Sequence, residues 1–136
     1  MKVIDAENCI LGRLASKIAK MLLMGEKIII VNADKIVVSG KRNYLLEFFY
    51  ERKTRGDRHK GPFYSIQPNA IFRRAVRGML PKNKRGREAF KNLMVYRSIP
   101  KNFEGKAEKL KNVKAAEDLQ CKYLFLIDIA KELGVK

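Results

Sequence analysis

Apolar positions alternate with polar ones along this chain in two distinct rhythms, and the switches between them mark out the elements. Lys2-Val-Ile-Asp5 has the length and β-branched content of a short strand, and Leu11, Leu14, Ala15, Ile18 and Leu22 then recur at helical spacing. Gly25 supplies a C-terminal stop. Ile28 to Val31 is a continuous β-branched run, the mark of a strand buried on both faces. Strand, helix and buried strand in that order predict a βαβ unit and an α/β fold. Ile36 to Val38 predicts a further strand closed by Ser39-Gly40, and Lys41 to Arg52 a second helix with Tyr44, Leu45, Phe48 and Phe49 as its apolar face.

From Lys53 to Gln67 the periodicity disappears, and a long loop in a small domain is usually functional. With few apolar anchors and strong positive charge, this loop is expected to be mobile alone and ordered on a polyanion. Pro68-Asn69 then opens an amphipathic helix that Pro81 must end. At about 100° per residue, Ile71, Phe72, Ala75, Val76 and Met79 fall on one arc and Arg73, Arg74 and Arg77 on the other. Lys82, Lys84, Arg85 and Arg87 are expected to extend that cationic face through a loop, before a short helix at Arg87 to Lys91 and a strand at Leu93 to Tyr96. Pro100 to Gln120 is poor in large apolar residues and reads as an irregular arm; Lys122 to Phe125 reads as extended. Leu126, Ile129, Ala130 and Leu133 predict a last helix stopped by Gly134.

Charge changes this picture because of where it lies. The 136 residues carry a formal net charge of +16. Residues 41–97 hold 16 Lys+Arg against 4 Asp+Glu, and they contain ten of the eleven arginines. The segments on either side are each only +2. Concentrated arginine points to phosphate, which the planar guanidinium pairs bidentately. With 46% hydrophobic residues and no repeat or low-complexity tract, residues 1–136 read as a single globular domain. Its basic region is about 41–97, and an arm and helix follow at about 100–136. No apolar run approaches the roughly 20 residues of a membrane span. The charged residues Lys2, Asp5, Glu7 and Arg13 come too early for a secretory leader. Cys9 and Cys121 have no CxxC partner and are expected to be two buried, reduced thiols.

Several chemistries find no support. The first strand is not followed by GxGxxG, and Gly40-Lys41 lacks the rest of a phosphate-binding loop. His59, the single histidine, sits among cations without a carboxylate to orient it, so an RNA contact or a solvated side chain suits it better than a catalytic base. No metal constellation, catalytic triad or carboxylate pair emerges, and no cofactor is expected. The rival reading is an RNA-modifying enzyme with a nucleotide site on the α/β core; a DNA-binding protein would need a recognition helix or dimer logic that the pattern lacks.

The stretch Val76 to Val95, VRGMLPKNKRGREAFKNLMV, resembles the signature of ribosomal protein thirteen of the large subunit, a universal family. The matching positions are Val76, Arg77, Gly78, Met79, Leu80, Pro81, the basic spacer Lys82 to Arg85, then Gly86, Arg87, Leu93 and Val95. LGRLASKIAK at Leu11 to Lys20, IVVSGK at Ile36 to Lys41 and GPF at Gly61 to Phe63 strengthen the resemblance, in the family's order. The segment after Tyr96 lacks the His-Pro-His run of bacterial members, and GPF followed by Pro-x-x-Ile-Phe looks archaeal or eukaryotic. Eukaryotic members usually carry a longer C-terminal extension, so an archaeal-type member is expected.

The resemblance implies a three-layer α/β/α domain around a small, mainly parallel four-stranded sheet. It also implies a non-enzymatic, cytoplasmic ribosomal component that binds 23S-type rRNA, supports subunit assembly and neighbours other large-subunit proteins, with no membrane or small-molecule partner. The expected RNA-contacting residues fall in four groups. Arg13, Lys41 and Arg42 come first, followed by Lys53, Arg55, Arg58, His59 and Lys60 of the loop. Arg73, Arg74, Arg77 and Gly78 belong to the central helix, and Lys82, Lys84, Arg85, Gly86, Arg87 and Lys91 lie beyond it. Gly78 and Gly86 are expected to let backbone approach RNA closely. Lys60 stands where the family pattern has arginine before GPF, so a phosphate contact is expected there without the bidentate geometry.

Overall fold

In the computed structural model, which describes residues 1–113 and 115–135, the βαβ unit forms from the residues that predict it. Lys114, inside the expected arm, and Lys136 lie outside the described residues. Strand β1 (Lys2–Asp5) leads through helix α1 (Leu11–Leu23) to β2 (Ile28–Val31), and the two strands pair in parallel with Val3 opposite Ile29. All four residues of β2 are buried. Strand β3 (Val37–Ser39) follows a 3-10 turn at Ala33–Lys35, and then come helices α2 (Arg42–Thr54), α3 (Pro68–Met79) and α4 (Lys84–Lys91). Strand β4 (Leu93–Val95) returns to pair with β2, again in parallel.

The arm after Tyr96 is less irregular than its composition suggests. It contributes β5 (Glu108–Lys109), a two-residue strand that pairs in parallel with β1, so the main sheet has the order β4-β2-β1-β5. This strand carries no apolar pattern because its pairing is made by backbone alone. Strand β6 (Tyr123–Phe125) pairs antiparallel with β3 in a separate two-stranded sheet, and helix α5 (Leu126–Glu132) follows at once. The class is therefore α/β, as the βαβ pattern predicts, and its main sheet is the four-stranded parallel one that the family resemblance implies.

Alternation along the strands gives the sheet two different faces. Ile4, Ile28, Ile30, Leu93 and Val95 join Leu14, Ile18, Leu22, Ile71, Phe72 and Val76 in the main core. Helices α1 and α3, which pack on each other, thus cover one side of the sheet. On the other side, Val3, Ile29 and Val31 are covered by Phe103 and Ala107 of the arm. Leu126, Ile129 and Ala130 of α5 are fully enclosed and extend the core toward α2.

Three apolar assignments shift. Tyr44, expected on the buried face of α2, is 63% exposed; only Leu45 and Phe49 are buried there. Met79, expected in the core, is 46% exposed, and Leu80 is buried in its place. Leu80 stands just before Pro81 with an extended backbone (ψ 149°), which turns its side chain off the helical arc that Met79 continues. Cys9 is buried but Cys121 is exposed, since it lies in the bend between Ala116–Asp118 and β6 rather than inside an element.

Two outcomes follow from this packing. Phe72→Ala, at a site with no solvent exposure, is expected to destabilise the fold by about 3–5 kcal/mol in denaturant melts. Burial also pushes the Cys9 thiol above its ordinary pKa, with the nearby Asp5 charge adding to the shift. Brief alkylation of the native protein should therefore label Cys121 and leave Cys9 until denaturant is added, as peptide mass spectrometry would show.

Candidate nucleic-acid interface

Helix α3 is the element on which the cations are mounted. Pro68 occupies its first turn, where the missing N–H costs nothing, and Ile71, Phe72 and Val76 turn inward. Arg73, Arg74 and Arg77 are left exposed on the other side. The residues after Pro81 are not a loop as expected. Helix α4 begins at Lys84, capped by Asn83, whose side-chain oxygen accepts a hydrogen bond from the Gly86 N–H at 3.0 Å. Asn83 is a cap signal readable in the sequence, though Gly86 three residues later speaks against a helix.

The two glycines of this region do opposite things. Gly86 is buried, and a β-carbon there would lie 1.8 Å from the Pro81 carbonyl oxygen. Its lack of a side chain lets α4 close onto the Pro81 turn, so the expectation that it brings backbone to RNA gives way to packing within the chain. Gly78 is exposed, and nothing lies within 4 Å of the position a β-carbon would take. It leaves open surface.

Packing of α4 beside the end of α3 creates a cleft of about 690 Å³. Arg74, Arg77, Lys82, Arg87 and Lys91 stand around it, Gly78 and Gly86 border it, and Leu80, Pro81 and Phe90 supply apolar lining. No acidic residue lines it. The structure thus gathers into one concave site seven of the residues singled out from the sequence.

Candidates both around the cleft and outside it divide by whether they are engaged within the chain, and several are. Arg85 donates to the Leu23 carbonyl at 3.2 Å and so caps the end of α1. Lys53 donates to the Leu133 carbonyl at 2.7 Å, just past α5, and Arg42 pairs with Glu132. Arg74 donates to the Phe63 carbonyl at 3.1 Å with its guanidinium 4.1 Å from the Tyr64 ring centroid, which ties the 55–67 segment to α3. Arg73 lies over the Phe90 ring at 4.9 Å. In contrast, Arg13, Lys41, Arg55, Arg58, Lys60, Arg77, Lys82, Lys84, Arg87 and Lys91 are exposed with no side-chain hydrogen bond or ion pair among the described residues. Arg58, His59 and Lys60 sit on a turn closed by reciprocal Asp57–Gly61 backbone hydrogen bonds of 3.1 and 3.0 Å. The His59 N–H donates to Asp57 Oδ1 and leaves the imidazole exposed.

The carboxyl ends of the parallel strands, where open α/β sheets commonly hold ligands, are occupied by internal contacts. Asp5 accepts from Asn32 Nδ2 at 2.8 Å and from the Glu7 N–H at 3.0 Å. Asp34 pairs with Arg97 at 3.1 Å, tying the turn after β2 to the end of β4. Among the described residues no group of three or more His, Cys, Asp or Glu could hold a metal ion. Among the same residues no helix is long and apolar enough to cross a membrane.

The sequence reading missed a second basic cleft of about 560 Å³ along β1 and β5, where Lys2, Lys17, Lys106, Lys109 and Lys111 converge beside Glu108. Lys106, Lys109 and Lys111 are neighbours in sequence, but only the β1–β5 pairing brings them beside Lys2 and Lys17 from the other end of the chain.

The profile of the Ribosomal protein L13 family matches residues 1–102, which include the whole of the α3–α4 cleft. The chain belongs to that family. It is similar over nearly its full length to archaeal proteins named large ribosomal subunit protein uL13. The Methanopyrus kandleri relative is 46% identical over 97% of this chain and 86% of its own length. That of Archaeoglobus fulgidus is 42% identical over 98% and 88%, and that of Thermoplasma volcanium 43% identical over 98% of both. These archaeal relatives agree with the archaeal type suggested by the segments around GPF and after Tyr96. Membership of a ribosomal-protein family makes the chain a structural component rather than an enzyme, and the RNA-modifying alternative falls with it.

The contrast between the two glycines yields a paired test. Gly86→Ala should destabilise the protein by about 1–3 kcal/mol or more, since backbone rather than a movable side chain meets the new methyl group. Gly78→Ala, in an open helical position, should be neutral or stabilising by up to about 1 kcal/mol. Thermal melts of the two variants side by side check both.

Proposed function

We propose that the protein is a structural constituent of the large ribosomal subunit that binds 23S-type rRNA and supports subunit assembly. The whole chain would act as one RNA-binding domain, residues 41–97 making most contacts and the arm of residues 100–136 lying against the sheet and neighbouring large-subunit proteins. The observation that carries this reading is the α3–α4 cleft, where five cations surround a concave surface with no acid among its lining residues. Such a site favours a polyanion, and its arginines suit phosphate oxygens in particular. The names of the archaeal relatives support the large subunit as the assembly.

The mechanism is electrostatic and geometric, without cofactor, small-molecule substrate or catalysis. Cations held by α3, α4 and the Asp57–Gly61 turn would neutralise phosphates where rRNA segments converge and release their counterions. Folded RNA is recognised largely by shape, phosphates and 2′-hydroxyls, so little base specificity is expected from any one cation. The cations already bonded within the chain keep others in place: Arg74 holds the 55–67 segment and Arg85 holds α4 against α1. The protein would reside on cytoplasmic ribosomes and remain with large subunits through a high-salt wash.

Binding of an rRNA fragment from the large subunit should weaken roughly 10³- to 10⁵-fold between about 50 and 200 mM salt if about six to ten phosphates are neutralised. Arg77, Lys82 and Arg87 have no partners within the described residues, so changing all three to Gln should leave the melting curve nearly unchanged. The salt slope should fall by roughly 0.7 to 0.9 for each phosphate that is no longer neutralised. A slope that stays at the wild-type value in the triple variant removes the cleft from the interface.

A further inference from the structure

The α3–α4 cleft is lined by more than a phosphate site would use. Phosphate contacts need only donors and positive charge, yet Leu80, Pro81 and Phe90 line the concavity between the cations. Phosphate oxygens gain nothing from such a lining, whereas the π-face of an unstacked base gains most from it. We infer that this cleft receives an unpaired nucleobase, with Phe90 and Pro81 as its apolar seat and the surrounding cations on the flanking phosphates. The inference rests on the RNA-binding reading above and narrows it to a bulged or single-stranded nucleotide rather than a continuous helix.

Three observations support this occupant. The cleft's volume of about 690 Å³ lies in the range of about 300–1,000 Å³ that suits compact organic ligands, ample for one nucleoside. Its shape is fixed by packing, because Gly86 presses against the Pro81 carbonyl and Asn83 caps α4 across the same turn. The Phe90 ring is held from outside the cleft lining by Arg73, whose guanidinium lies 4.9 Å from the ring centroid. An aromatic ring bordering a cationic cleft is the combination that stacking sites for single-stranded nucleic acid use, and the Arg73 contact fixes that ring in place. Gly78 stands at the border with open space where a side chain would project, so the entry to the cleft is unobstructed.

The full-length protein can be tested with two probes at low salt: a short oligouridine carrying one 2-aminopurine, and a blunt RNA duplex of the same length. Wild-type protein should quench the 2-aminopurine on binding. Phe90→Leu keeps an apolar side chain but removes the ring, and should weaken the single strand about tenfold and abolish the quenching. Its binding to the duplex should not change. Gly78→Leu leaves every charge in place and meets no neighbouring atom at its β-carbon, so it should melt like wild type while its side chain blocks the entry and weakens the single strand. If Phe90→Leu proves unstable, Gly78→Leu alone decides. Normal duplex binding together with wild-type single-strand binding in both variants overturns the nucleobase site alone. Failure of the wild-type protein to bind either probe overturns the RNA-binding reading as well.

Discussion

Burial of the apolar side of α3 against α1 and the parallel sheet is the interaction on which the rest of the molecule depends. Ile71, Phe72 and Val76 are almost wholly shielded from solvent there, each worth about 1.5–3 kcal/mol of transfer free energy. The exposed ion pairs Lys2–Glu26 and Arg42–Glu132 contribute about 0–1 kcal/mol apiece, and Lys35–Glu7 lies in open solvent. A net charge of +12 across residues 41–97 is therefore held together by apolar packing, not by pairing of opposite charges. The same seam fixes the rotation of α3 about its axis, and with it the direction in which Arg73, Arg74 and Arg77 point.

Cations in this protein divide into those that build the interface and those that form it. Arg85, Lys53 and Arg74 donate to main-chain carbonyls on distant segments, so each uses its donors to hold an element in place. Arg77, Lys82, Arg87 and Lys91 have no such partner among the described residues and stand around the cleft that α3 and α4 enclose. Arginine suits the first role as well as the second, because its planar fork can bond a carbonyl while its face lies on an aromatic ring, as Arg74 does with Phe63 and Tyr64. Counting positive residues overstates the binding surface for that reason.

Much of the framework was legible from periodicity. The i, i+3, i+4 apolar spacing of α1 and α3 and the β-branched run of β2 give elements within a residue or two of those observed. What stayed hidden is decided either by backbone geometry that periodicity does not carry or by partners remote in sequence. Strand β5 exists because the backbone of Glu108 and Lys109 meets β1, a pairing without a side-chain signature. Met79 sits on the predicted apolar arc, but the extended backbone before Pro81 sends Leu80 inward instead. The role of Gly86 is set by the Pro81 carbonyl, and the roles of Arg85 and Lys53 by helix ends 62 and 80 residues away. The cationic site could be placed on the chain from composition, while its concave, partly apolar form required the packing of α4.

The pairing of β5 with β1 and of β6 with β3 has a bearing on how the protein is made. Both partners near the N-terminus leave the translating ribosome roughly a hundred residues before the segments that complete them. Until then β1 presents one unpaired edge of backbone N–H and C=O groups, and β3 lacks its antiparallel neighbour. Helix α5 follows β6 directly, so the enclosure of Leu126, Ile129 and Ala130 comes at the end as well. The nascent chain thus carries its cationic middle third into solution before its sheets can close, and an RNA or chaperone bound at that stage would meet an unfinished edge.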